Sequence, residues 1–170
     1  MNYCTREDCD KYLQQVVGQP LSYGFKSWDM DIFDVEFGEL VQCTKFNDEP
    51  HECFSYIVHN VGGIKIIWRK ERRTTFYDID TKTEEFHTDI QKLIGYKVLR
   101  VGLSDKNDLW FDFGDVWMVF ITYDSNEESW RYFTPNLQEP HLVAADTWLQ
   151  LVYDDDHIYI FPKKTGDGFA

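Results

Sequence analysis

Glu127, Glu128, Trp130 and Arg131 are the most specific local cluster of chemically capable residues in the chain. If residues 129–133 are a strand, Trp130 and Tyr132 face one way and Arg131 and Phe133 the other. An arginine flanked by aromatics can clamp a carboxylate through two parallel N–H donors. Arg131 is therefore a candidate to bind a ligand or the acidic group of a partner. The competing reading pairs Arg131 with an Asp or Glu across a sheet and puts Trp130 in the core.

Three other groupings carry donors suited to chemistry. Cys43, His51 and Cys53 could ligate zinc through thiolate and imidazole, but C-x-x-C spacing and a fourth ligand are missing; isolated thiols are the alternative. Cys53 and His59 could form a nucleophile–base pair. Six residues apart on one strand, they share a face but stand about 20 Å apart, too far for a hydrogen bond. Asp154, Asp155, Asp156 and His157 could hold a hard cation, yet the run lacks alternate-ligand spacing and reads as a solvated turn. Neither a glycine-rich phosphate loop, a G-x-S-x-G elbow nor an H-E-x-x-H helix occurs, so no catalytic residue, metal or cofactor is expected.

The elements that must position these residues are mostly strands. Residues 5–17 read as a helix with Thr5 as N-cap, Glu7 and Asp8 in the first turn, and Gly18 as its stop. Strands follow at 21–25 and 32–37, the second alternating Phe33, Val35 and Phe37 with Asp34 and Glu36. Residues 44–52 read as a loop, and 54–59, 64–69 and 74–79 as strands. A helix contains Ile90, Leu93 and Ile94 and stops at Gly95. Strands are expected at 96–103, 109–113, 115–123, 129–133 and 158–161, while 141–151 is ambiguous. The fold class is α+β: a mostly antiparallel sheet with two or three short helices, in a single domain over 1–170.

Two stretches recur. VVGQPL at 16–21 matches LIGYKV at 93–98, and VEFGE at 35–39 matches FDFGD at 111–115. The offset, close to half the chain, points to two duplicated α+β halves packed together, over 5–80 and 86–150; the alternative is coincidence, since short hydrophobic patterns recur easily. The order E-x-W-R-x-F (Glu128 to Phe133) and then P-H-x-V (Pro140 to Val143), with a histidine-ended strand at His59 earlier, resembles small uncharacterised bacterial proteins. Those are similar to the immunity proteins of bacterial toxin–antitoxin competition systems. The resemblance spans about residues 10–145, and it implies an interaction protein with no catalytic residue.

Charge points the same way. The chain of 170 residues has 30 acidic and 17 basic residues, a net charge of −13. The excess is shared by both halves and repels nucleic acid and anionic membrane surfaces while attracting a basic partner. The simpler reading of such a surface is solubility. No run of 18 apolar residues and no apolar leader is present, and four cysteines without a leader read as free thiols in the cytoplasm.

The expected function is therefore a cytoplasmic binder that occludes a basic protein such as a toxin domain. Asp29, Asp31, Asp34 and Glu36 are its rim in the first half, and Asp105, Asp108 and Asp112 in the second, with Arg131 as a further binding residue. The alternative is a small-ligand module with an aromatic pocket between the halves.

Overall fold

The computed structural model describes residues 5–27, 32–43, 51–124, 126–136 and 139–152, the side chains of Cys43 and His51 excepted. Thr5 caps the first helix, α1 (Arg6–Leu13): its Oγ1 accepts from the Asp8 amide at 3.1 Å, and Asp8 accepts in return from the Thr5 amide at 3.2 Å. This reciprocal box satisfies two amide donors that a helix start otherwise leaves open. A 3-10 turn (Gln14–Val16) extends α1, and Gly18, at φ +87°, ends it.

Eleven strands follow among the described residues: β1 (Leu21–Lys26), β2 (Phe33–Cys43), β3 (His51–Asn60), β4 (Ile64–Trp68), β5 (Arg73–Tyr77), β6 (Arg100–Leu103), β7 (Leu109–Asp112), β8 (Val116–Phe120), β9 (Trp130–Phe133), β10 (His141–Ala144) and β11 (Leu149–Val152). The second helix, α2 (Thr83–Gln91), lies between β5 and β6. All pairings are antiparallel, in a six-stranded sheet ordered β1-β2-β3-β9-β10-β11 and a five-stranded sheet ordered β5-β4-β8-β7-β6. The protein is α+β and mostly sheet.

The strand orders correspond. Advancing each element by five converts β1-β2-β3 into β6-β7-β8, and β4-β5 into β9-β10. The first sheet thus joins β1-β2-β3 to β9-β10, and the second joins β6-β7-β8 to β4-β5. The six-stranded sheet takes three strands from each half of the chain, β11 included, and the five-stranded sheet takes three from the second half and two from the first. The recurrent segments meet each other: Pro20 bridges Lys97, Gly18 N donates to Val98 O at 2.7 Å, and Leu21 N donates to Tyr96 O at 2.8 Å. Gly18 and Gly95, and Gly38 and Gly114, all have φ between +87° and +95°, the left-handed region open to glycine.

One core lies between the sheets. Phe37 of the first sheet stacks on Phe111 of the second at 4.7 Å, and Phe33 meets Phe86 of α2 edge-on at 4.9 Å. Helix α2 crosses β1 so closely that a Cβ on Gly24 would fall 2.4 Å from Ile90 Cγ1. Among the described residues no helix is long and apolar enough to cross a membrane.

Several boundaries differ from expectation. Strand β3 begins at His51, inside the predicted loop, because β2 runs on to Cys43 after a bulge between Phe37 and Leu40 and carries its partner with it. The predicted strand at 96–103 is a strand only from Arg100. The ambiguous stretch 141–151 is the hairpin of β10 and β11, whose alternate residues Leu142, Ala144 and Leu151 enter the core. The expected strand at 158–161 and the acidic turn before it lie outside the described residues.

Candidate functional site

Strict alternation on β2, β3, β9 and β10 sends Val35, Phe37, Val58, Trp130, Tyr132, Leu142 and Ala144 into the core. Their neighbours Asp34, Glu36, His59, Arg131, Phe133 and His141 therefore take the opposite face of the first sheet. Register aligns them: Asp34 is opposite His59, His59 opposite Arg131, Glu36 opposite Ile57, and Ile57 opposite Phe133. Sequence-distant polar residues thus form one row across four strands.

Arg131 is the centre of the row and is 2% exposed. Its Nε and Nη2 donate to the two oxygens of Glu128 at 3.1 and 2.6 Å, and Nη1 lies 3.0 Å from Nδ1 of His141. A guanidinium cannot accept, so His141 Nδ1 is the acceptor and the imidazole proton sits on Nε2. Phe133 stacks on His141 at 4.6 Å and meets His59 edge-on at 5.1 Å.

The left end of the row is acidic. His59 Nε2 stands 3.6 Å from Asp34 Oδ1. Burial, reinforced by the Arg131 charge, lowers the His59 pKa to about 3, so its imidazole is neutral at ordinary pH. Burial, the Glu36 charge and a hydrogen bond between the two carboxyls hold Asp34 well above the usual carboxylate range. Burial also raises Glu36, against hydrogen bonds from Asp34 and from the Phe54 amide at 3.2 Å. Tyr23, on the adjacent strand, is pushed up to about 12 by burial and by these two carboxyls.

The residues singled out in the sequence divide into separate regions. Asp34, Glu36 and Arg131 belong to this row. Asp112 is on the second sheet, 5% exposed, bound to Arg100 at 2.8 Å and to the Gly114 amide at 2.7 Å. Asp108 accepts from the amide and hydroxyl of Thr122 at 2.8 and 3.0 Å. Asp105 is exposed in the β6–β7 turn. Asp29 and Asp31 lie outside the described residues. Sequence reasoning left His59, Glu128, Phe133 and His141 off the list of binding residues. Four of the named letters in E-x-W-R-x-F and P-H-x-V, those of Glu128, Arg131, Phe133 and His141, were the available signal, because they make one set of contacts.

Two chemical readings are resolved by the backbone. Cys53 and His59 lie on the continuous strand β3, about 20 Å apart at the strand rise, and form no nucleophile–base pair. Cys43 pairs with His51 and Cys53 with Val41, but no three His, Cys, Asp or Glu among the described residues converge as metal ligands. The expectation that all four thiols are free fails at Cys9, which is disulfide-bonded, whereas Cys53 remains a buried thiol.

Two cavities lie apart from the row. One of about 440 Å³ is walled by Lys106, Thr122, Tyr123, Asp124 and Asp146. Another of about 310 Å³ has Gln15, Gln42, Ser55 and Tyr56 on one side and Asn136 and Glu139 on the other. Compared with family models, curated proteins and solved structures, the chain matches none.

Proposed function

We propose that the protein is an immunity-like binder that occludes a basic protein partner, and that the partner docks on the loop end formed by residues 104–108, 121–124, 126–128 and 145–148. The observation that carries this reading is the charge of that end. Asp105, Asp124 and Glu127 are exposed there, Asp108 and Asp146 are half-buried, and Lys106 is the one cation among its described residues. Asp146 Oδ1 is buried in the wall of the larger cavity with no hydrogen-bond partner among the described residues. A lysine or arginine side chain from a partner would satisfy it.

The loops are held in place before any partner arrives. Asn107 donates to Ala145 O at 3.0 Å, its own carbonyl accepts from Trp130 Nε1 at 2.7 Å, and Arg6 donates to its Oδ1 at 2.9 Å. Thr147 and Trp148 bond to Asn126 at 2.9 and 2.8 Å. A preordered rim loses little conformational entropy on docking, and its carboxylates steer a cation during approach. The reading includes residence in the cytoplasm, against which the Cys9 disulfide stands.

Association with the product of the neighbouring reading frame, taken as the candidate toxin, tests the proposal. Charge reversal at Asp105, Asp124 and Glu127 together should slow association by about tenfold or more at low salt, with the effect shrinking as salt rises. Unchanged association, or no complex and no protection of cells from that toxin, would overturn it.

A further inference from the structure

The outer face of the second sheet gathers cations and indoles in a chain that is otherwise acidic. Alternation turns Ile64, Ile66, Phe111 and Met118 into the core, which leaves Lys65, Ile67, Trp110 and Trp117 on the opposite side. Register aligns two rows there. One runs Thr74, Ile67, Trp117, Asp112, Arg100, and the next Phe76, Lys65, Val119, Trp110, Gly102. Asp112 is the one carboxylate in these rows, and it is already closed on Arg100 and the Gly114 amide.

The two indoles form a floor between the cations. Trp110 covers Gly102 so closely that a Cβ there would fall 2.4 Å from its Cζ2, and Trp117 stacks on Trp110 at 5.1 Å. Arg100 stands over Trp117 at 5.4 Å, and Arg69 stands over the same ring at 5.9 Å. Arg69 continues the outer row of β4, since its amide donates to Asp115 O at 2.9 Å. Its guanidinium reaches the Gly114 carbonyl at 3.4 Å, and the nearby Asp115 carboxylate is taken by Lys70 at 3.0 Å. Among the described residues neither Lys65 nor Arg69 is paired with a carboxylate. The face is open to solvent: the Arg100 side chain is 64% exposed and Phe76 66%.

An exposed apolar patch rimmed by charge marks a docking surface, and the sign of the rim selects the occupant. Lys65, Ile67 and Arg69 share one side of β4, so the two cations stand about 13 Å apart with an apolar side chain between them. An extended peptide has the same rise. A segment of pattern acid-x-apolar-x-acid laid along β4 brings one carboxylate to each cation and its apolar side chain onto Ile67 and Trp117.

We propose that this face docks an extended acidic segment of a partner protein, of the pattern acid-x-apolar-x-acid. Arg69 and Arg100 lie at the end of the sheet opposite the 104–108 turn, since Arg100 faces Asp112 whereas Leu103 faces Leu109 beside that turn. The surface is therefore separate from the acidic loop end and takes a ligand of the opposite charge, so the two proposals fail independently.

Calorimetric titration of the full chain with the blocked peptide Gly-Glu-Gly-Phe-Gly-Glu-Gly tests it. The counterparts carry glutamine for both glutamates or glycine for the phenylalanine. The acidic peptide should bind one-to-one, about tenfold or more tighter than the glutamine peptide, and more tightly than the glycine peptide. Lys65→Gln and Arg69→Gln should each weaken it by about threefold to tenfold while Tm holds, because neither cation has an ion pair to lose. Arg73→Gln is the control: that cation lies over the core-facing Trp68 at 4.6 Å, and its loss should leave affinity unchanged. Charge reversal at Asp105, Asp124 and Glu127 should also leave the peptide bound. No binding, equal binding of the glutamine peptide, or equal weakening by Arg73→Gln and Arg69→Gln would each overturn the proposal. So would a dimer of the chain alone that Arg69→Glu dissolves in sedimentation, which would assign the face to a second copy.

Discussion

Arg131 Nη1 lies 3.0 Å from His141 Nδ1 while the rest of its fork is closed on Glu128 at 3.1 and 2.6 Å. The guanidinium that looked able to clamp a foreign carboxylate already holds one from its own chain. Glu128, three residues away, turns back to cancel the charge that burial would otherwise make costly.

Removing Glu128 should therefore be severe. Glu128→Ala leaves a buried guanidinium without its counter-charge and should cost about 3–5 kcal/mol. Replacing the pair by Glu128→Leu with Arg131→Met should cost less than the single change. Urea denaturation of the three variants measures this; a double variant less stable than the single one would contradict it.

Stability should fall in acid through His59. Its folded pKa is about 3 against an ordinary value of 6.5, so the unfolded chain takes up a proton first. The contribution from neutral His59 is complete above pH 6.5 and is lost as pH falls towards 3. Comparing His59→Phe with the parent by thermal melts between pH 7 and 4 isolates it: the parent should lose more Tm over that interval.

Asp34 works in the opposite sense. Its folded pKa is raised, so the native state holds the proton longer, and its penalty is present above the folded pKa and disappears below the unfolded value of 3.8. Asp34→Asn should melt at a higher temperature than the parent at pH 7, with the gap closing towards pH 4. A gap that widens in acid would refute the assignment.

Asn107 should be the weak point of the acidic loops. It sits at φ +65° and bonds to Arg6, Ala145 and, through its carbonyl, Trp130. Asn107→Ala loses the side-chain bonds and is strained in that conformation, which should cost about 2–3 kcal/mol. Asn107→Gly keeps the backbone freedom and should recover part of the loss. Chemical denaturation distinguishes the two.

Legibility followed range. The capped helix α1, the alternation of β2 and the glycine stops at Gly18 and Gly95 were readable because each depends on neighbours within a turn or on a two-residue period. The extension of β2 to Cys43 and the start of β3 at His51 were not, since polar residues enter a strand when a partner strand offers hydrogen bonds. Within the candidate site, Arg131 and its Glu128 neighbour were visible as a local pair. His59 and His141 joined them only because β9 inserts between β3 and β10.

By itself the sequence determined the α+β class, the alternation that gives each strand an apolar and a polar face, the excess of acid, and the recurrence of Gly18 with Gly95 and of Gly38 with Gly114. Each follows from residue type and spacing along the chain. Tertiary structure decided that β9 leaves β7 and β8 for the other sheet, and with it which polar face meets which. It also decided that the Arg131 fork is occupied and that the Tyr132 hydroxyl finds no partner among the described residues. The physical reason is register: a strand's own pattern says which residues share a face, but only pairing with a distant strand sets which charges and donors lie opposite one another.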